Sequence, residues 1–325
     1  MSPILSLFTV FSFSISTVNS LAVANNDASH PDTISWRATS GTATSAKLIF
    51  SSPSSMDPAA TLEVKERAGG WRTVGLVGGK TKSIYHGIYR VDKHGVPIAN
   101  VLASKNLQTM ASVAFASTEG KEKASFLYLG LGAGALPSFI HHYFRDSRHV
   151  AVELDEAVVL ATESIRLKDR IDIRTGDALN YCRSPSEECF DCIFVDIFDG
   201  ANLLPIDFYG GQFVERLRDD ILKPTGTLIQ NFHTGNKKLG SQLDDAKEVF
   251  SRSFGRCYAV RSPDSKPNAG NTILVGSKRD PYTSDEALRE ALSAAAENAQ
   301  RELNFAIDSS SILAGARLVH AVLQS

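Results

Sequence analysis

From Ser125 onward, short apolar runs alternate with amphipathic stretches. Phe126–Leu129, His149–Glu153, Ile171–Thr175 and Asp191–Asp196 read as strands, with helices over Leu136–Phe144 and Glu156–Ser164. Strands that are apolar without alternation are buried on both faces, so the order strand, helix, strand argues for a parallel sheet covered by helices. A helix around Gln212–Ile221, a strand Gly226–Phe232 behind Lys223-Pro224-Thr225, and a helix near Asp244–Phe250 follow. The last two strands, Arg256–Val260 and Thr272–Val275, are joined by the polar loop Arg261–Asn271 and pair most simply antiparallel. Upstream, Thr61–Val64, Ser83–Val91, Pro97–Ala103 and Leu107–Ala116 read as short strands. Turn signals separate them at Gly69-Gly70, Gly78-Gly79 and Lys93-His94-Gly95, which predicts a small antiparallel β unit. Beyond Tyr282 the pattern is helical: Thr283 and Glu286 form a capping box ahead of Leu288, Leu292, Ala295, Ala299 and Leu303, and a second helix is expected over Ser310–Leu323.

Composition narrows the picture. A chain of 325 residues is long enough for one large domain and a small one. Its net charge of -2, with both signs interspersed, offers no field for nucleic acid or an anionic membrane. Residues 1–24 contain the apolar run Ile4–Val18 and the small-residue pattern Ala22-Val23-Ala24, and are expected to be a secretory signal, with no membrane span in the mature protein. A cytosolic enzyme with an apolar tail is the alternative. Residues 25–57, rich in Ser, Thr and Ala, read as a disordered or transit-like leader, which would suit a plastid. The β unit is then 58–118, the sheet domain 119–280 and the helical extension 281–325. Cys182, Cys189, Cys192 and Cys257 include a single C-x-x-C, too little for a zinc ribbon, and are expected to be core thiols with no metal.

Chemistry enters at the carboxyl ends of the strands, where open α/β sheets bind ligands. Gly130, Gly132 and Gly134 follow the first strand, allowing a tight turn, close ligand approach and a helix N-terminus, as a nucleotide-like ligand requires. Glu153, about twenty residues on, stands at the spacing of a ribose-binding carboxylate. Asp177 with Ala178 ends the third strand, where an acid and the next N–H can meet an adenine ring. Asp196 and Asp199 end the fourth, one toward the cofactor's methionine end and the other toward an acceptor whose proton it could take. A nicotinamide enzyme does not require that acidic pair, so the constellation favours S-adenosylmethionine. His233 ends the fifth strand at the rim, within reach of a substrate, whereas His141 and His142 read as packing or surface residues.

Taken together, Phe126–Ile140, Val152–Val158, Gly176-Asp177-Ala178 and Asp191–Asp199, followed by Leu204-Pro205 and Phe208-Tyr209, resemble the spermidine synthase superfamily, and within it the spermidine-synthase-like class I methyltransferases. The resemblance covers roughly Arg90 to Ser277. It implies an α/β fold with a Rossmann-like seven-stranded sheet, a small N-terminal antiparallel β unit and C-terminal helices. It further implies cofactor contacts from Gly130, Gly132, Gly134, Glu153, Asp177, Ala178, Asp196 and Gln108, and deprotonation of an amine by Asp199. Authentic synthases follow the Gln with acids and a Tyr that bind polyamine ammonium groups, whereas this chain has Thr109-Met-Ala-Ser-Val-Ala-Phe115. The expected activity is therefore methyl transfer from S-adenosylmethionine to a nitrogen, on a small amine or a protein lysine. Aminopropyl transfer from decarboxylated S-adenosylmethionine and a non-catalytic cofactor-binding subunit are the alternatives. A homodimer is also in keeping with the family.

Overall fold

The strands of the described residues form two sheets. The computed structural model describes residues 46–79, 83–121, 123–184, 188–199, 203–234, 237–263 and 270–319; the signal and most of the leader lie outside the described residues. The first sheet is antiparallel, β1 (Lys47–Pro53), β2 (Ala60–Arg67), β3 (Trp71–Gly78) and β4 (Ser83–Arg90) in sequence order. Here the structure corrects the sequence reading. Lys47–Pro53 is a strand inside the stretch read as leader, and Trp71–Gly78 is a strand not foreseen. Pro97 makes only an isolated bridge to Val91.

Leu107–Ala116, read as a strand, lies in helix α1 (Lys105–Ser117). Its apolar spacing fits period two and period 3.6 alike over so short a run. Thr109 to Ala116 are all buried, because α1 is wedged between the second sheet and the C-terminal helices. Phe115 packs in a ring cluster with Phe139, Tyr143, Phe144 and Phe305. Each fully buried ring contributes roughly 1.5–3 kcal/mol by leaving water.

The second sheet holds β5 (Ser125–Leu129), β6 (Arg148–Glu153), β7 (Asp172–Thr175), β8 (Phe190–Val195), β9 (Leu222–His233), β10 (Arg256–Arg261), β11 (Asn271–Ser277) and β12 (Arg317–Leu318), in the order β12-β10-β11-β9-β8-β5-β6-β7. β5 to β9 run parallel, and β11, β10 and β12 are antiparallel. Its crossovers are α2 (Ala135–Tyr143), α3 (Glu156–Ala161), α4 (Ala178–Arg183), α5 (Gly211–Arg216) and α6 (Lys237–Ser253). Helices α7 (Asp285–Leu303) and α8 (Ser309–Leu313) cover α1. The expected helix over Ser310–Leu323 stops at Leu313, and the chain returns as β12, an eighth strand pairing Leu318 with Tyr258. The cap of α7 is Ser284, whose Oγ accepts from the Ala287 N–H at 3.1 Å, rather than Thr283.

At the amino end of this sheet the polar groups form a closed network. Buried Asp191 accepts from Lys121, from Lys223 at 2.7 Å and from Ser125 N–H at 2.8 Å. Burial alone would raise its pKa, but these donors outweigh it and hold the carboxyl at about 2. His149 Nε2 donates to the Phe144 carbonyl at 2.9 Å, which leaves Nδ1 to accept from the Tyr128 hydroxyl at 3.1 Å. Burial lowers its pKa to about 4. Cys182, Cys192 and Cys257 are core thiols as expected, whereas Cys189 is exposed.

Candidate functional site

The glycine turn sits where β5 neighbours β6 on one side and β8 on the other, the place at which strand order reverses. Gly130, Gly132 and Gly134 all have positive φ, and Gly134 starts α2. A Cβ on Gly130 would stand 2.6 Å from the Asp196 carbonyl oxygen, and one on Gly132 would stand 2.8 Å from that of His86 in β4. Glycine is therefore required by close approach of the chain to itself, in addition to the turn.

Glu153 braces this turn. One carboxylate oxygen accepts from the Leu131 N–H at 2.9 Å and the other from the Asp155 N–H at 3.0 Å. Asp155 caps α3 and receives Ser54 Oγ at 2.5 Å and both the N–H and Oγ of Ser55 at 3.0 Å, tying the β unit to the turn. Burial pushes the Asp155 pKa up, but these hydrogen bonds prevail and leave it below the ordinary value. The imidazole of His86 lies beside this pair; burial lowers its pKa against the pull of Glu153 and Asp155. Its Nε2 is buried with no hydrogen-bond partner among the described residues.

Asp177 caps α4, its Oδ1 accepting from the Leu179 N–H at 2.8 Å, and Ala178 is the buried first residue of that helix. Asp196 follows β8, and its N–H donates to the Leu129 carbonyl at 3.0 Å beside the turn. Its Oδ1 accepts from Asn231 Nδ2 at 2.8 Å; burial raises its pKa and this bond partly offsets the rise. Asp199 is exposed, and its Oδ1 accepts from the Leu203 N–H at 2.9 Å. The site thus gathers Gly130, Glu153 and Asp196 around one turn, with Asp177 and Asp199 at neighbouring strand ends. Gln108 is bonded elsewhere: in the first turn of α1 its Nε2 donates to the Leu102 carbonyl at 2.6 Å and its Oε1 accepts from Lys105 at 3.2 Å.

The end of β9 holds residues not singled out from sequence. Asn231 at the end of β9 receives Asn271 Nδ2 at 3.0 Å, and the same nitrogen lies 3.3 Å from His233 Nδ1. The His233 ring packs on Phe198, with centroids 4.2 Å apart. Amides within the otherwise apolar run Leu228–Phe232 were the available signal. Gln230 and Gln242 donate to the carbonyls of Phe208 and Leu204, both at 2.8 Å, anchoring the segment that follows Asp199. A separate cleft of about 590 Å³ lies at the β unit between Glu66, Arg72, Arg90 and His94, and none of the residues above lines it. Among the described residues there is no group of three or more side chains able to hold a metal ion, and no helix is long and apolar enough to cross a membrane.

This architecture is an α/β class I methyltransferase-like fold. A probable spermidine synthase from Corynebacterium glutamicum superposes with a TM-score of 0.59 at 20% identity, over 85% of this chain and 91% of that one. Human methyltransferase-like protein 13, solved in complex with SAH, gives 0.51 at 24% identity, over 62% of this chain and 93% of that one. The sequence relatives are of the same two kinds. The human eEF1A lysine and N-terminal methyltransferase is 28% identical over 179 residues, 51% of this chain. A polyamine aminopropyltransferase of Chromobacterium violaceum is 27% identical over 169 residues, 50% of this chain. The chain spans 24% of the length of the human protein and 61% of the bacterial one. No family model matches the chain. Its homologues are thus spermidine-synthase-like and eEF1A-methyltransferase-like proteins.

Proposed function

We propose that the chain is an S-adenosylmethionine-dependent methyltransferase acting on a nitrogen nucleophile, with a protein amine as acceptor. The observation that carries this reading is the acidic mouth, Asp196 and Asp199, set beside a glycine turn that Glu153 holds by its backbone. The residues suit the cofactor. Each Glu153 oxygen accepts one N–H and keeps a further lone pair for a ribose hydroxyl, and Gly176, before Asp177, has open space where a side chain would stand. When bound, the cofactor supplies a methyl group on a cationic sulfonium. Asp196 favours positive charge beside the turn. Asp199, exposed at the rim, accepts the proton that the amine sheds before its nitrogen attacks. Methyl transfer is in-line, so positioning and desolvation of the amine do most of the work.

The protein acceptor is supported by the relative described as an eEF1A lysine and N-terminal methyltransferase. It is supported too by α1: where polyamine enzymes carry acids, Thr109 to Ala116 are buried against the sheet. A polycation stripped of water needs carboxylates in its place. The bacterial relative favours a second reading, aminopropyl transfer from the decarboxylated cofactor. The test is transfer of labelled methyl from S-adenosylmethionine to peptides bearing a lysine or a free N-terminus, run beside putrescine with the decarboxylated cofactor. Labelled peptide is expected. Aminopropylation of putrescine without peptide labelling would establish the second reading, and cofactor binding with neither product would leave a non-catalytic subunit.

A further inference from the structure

The amides and the imidazole on the acceptor side form a chain of hydrogen bonds with a direction. Asn231 presents its NH₂ to Asp196 Oδ1, at 2.8 Å. Its carbonyl then faces Asn271, which must answer with its own NH₂, at 3.0 Å. That NH₂ also meets His233 Nδ1, at 3.3 Å, so Nδ1 must accept and the ring proton resides on Nε2. Cross-strand pairing of Asn271 with His233 fixes this contact in the sheet register, and Phe198 fixes the plane of the ring. Burial lowers the His233 pKa, in keeping with a neutral imidazole at pH 7. Such a ring is an uncharged donor, not a base.

Building on the methyltransferase reading above, we propose that His233 is an acceptor-binding residue whose Nε2–H hydrogen-bonds a peptide carbonyl, and that Asn271 is the positioning residue that holds it in that tautomer. The two assignments specify a substrate class. A protonated polyamine carries donors only, and the attacking amine needs its lone pair for the methyl carbon, so neither can use a further donor. A peptide amine brings a carbonyl a few bonds away. Protonating the ring would add a cation where a cationic acceptor arrives, which a neutral donor avoids.

Two measurements test this on the full chain. Nitrogen NMR of the histidine rings at pH 7 is expected to show His233 as a single tautomer, protonated on Nε2. Asn271→Asp, which sets an acceptor against Nδ1, is expected to move the proton to Nδ1. A wild-type ring protonated on Nδ1, doubly protonated, or averaged between tautomers would overturn the proposal. In transfer assays, His233→Phe is expected to raise KM for a peptide acceptor about tenfold, the loss of one hydrogen bond, with kcat little changed. His233→Gln, which keeps a donor, is expected to restore KM, and neither variant should alter KM for an amine lacking a carbonyl. Turnover with an unchanged peptide KM in His233→Phe would refute this proposal while leaving the methyltransferase reading intact. Absence of methyl transfer to any amine would remove that reading, and the proposal with it.

Discussion

The two ends of the parallel sheet use similar residues for different purposes. At the amino end, Asp191 and His149 are buried and each is bonded on both sides, by Lys121, Lys223 and Ser125, and by Tyr128 and Phe144. At the carboxyl end, Asp196 and Glu153 are half-buried, Asp199 is exposed, and His86 keeps a buried nitrogen with no partner among the described residues. A closed polar network fixes strand register, whereas an open one leaves hydrogen-bonding capacity for a ligand. The strands carry both networks at opposite ends, so stability and the proposed chemistry can be altered separately.

Substitutions can break this separation or sharpen it. The largest effect is expected from Gly130→Ala, which joins the two functions: positive φ and a Cβ at 2.6 Å from the Asp196 carbonyl should cost about 3–4 kcal/mol of stability and abolish activity. Denaturant unfolding with a parallel transfer assay checks both.

Next comes the pH response of the amino end. His149 is neutral in the fold, with its pKa lowered to about 4, while the unfolded chain binds a proton near pH 6.5. Its contribution is therefore complete above about pH 6.5 and is lost as pH falls toward 4, a decline on the order of 3 kcal/mol. His149→Phe should flatten that part of the stability profile, as read by urea midpoints between pH 7 and 4. Unchanged pH dependence in the variant would remove His149 from the account.

Asp199→Asn should be smaller in energy and confined to the carboxyl end: about a hundredfold lower kcat, with stability within about 0.5 kcal/mol and cofactor affinity unchanged. Full activity in that variant would take the proton-accepting role away from Asp199.

The same contrast explains what could be read from the sequence. The parallel strands were legible because strands buried on both faces are short continuous apolar runs, as in Phe126–Leu129 and Cys192–Val195. The glycine turn and Glu153 were legible because one crossover links them and its spacing is local, and Asp196 because it ends a continuous apolar run. Helix α1 was not, since a helix buried on nearly all sides leaves no polar stripe to reveal its period. Nor were the bonds of Asp155 to Ser54 and Ser55, about a hundred residues away, or the Asn231–Asn271 pair across two strands. Such contacts depend on register and loop closure, which residue patterns do not encode locally. Gln108, whose position matched a motif, stands in the first turn of α1 with its amide bonded to Leu102 and Lys105.

The central claim is that the carboxyl end binds S-adenosylmethionine through a turn braced by Glu153. Calorimetric titration of the wild type and Glu153→Ala with S-adenosylmethionine, its decarboxylated form and S-adenosylhomocysteine tests it most directly. The account predicts that the wild type binds the first and third in preference to the second. It also predicts that Glu153→Ala, still folded, weakens both by about a hundredfold, as expected when a charged hydrogen-bonding partner is lost. Preference for the decarboxylated form, or equal affinity in the variant, would contradict it.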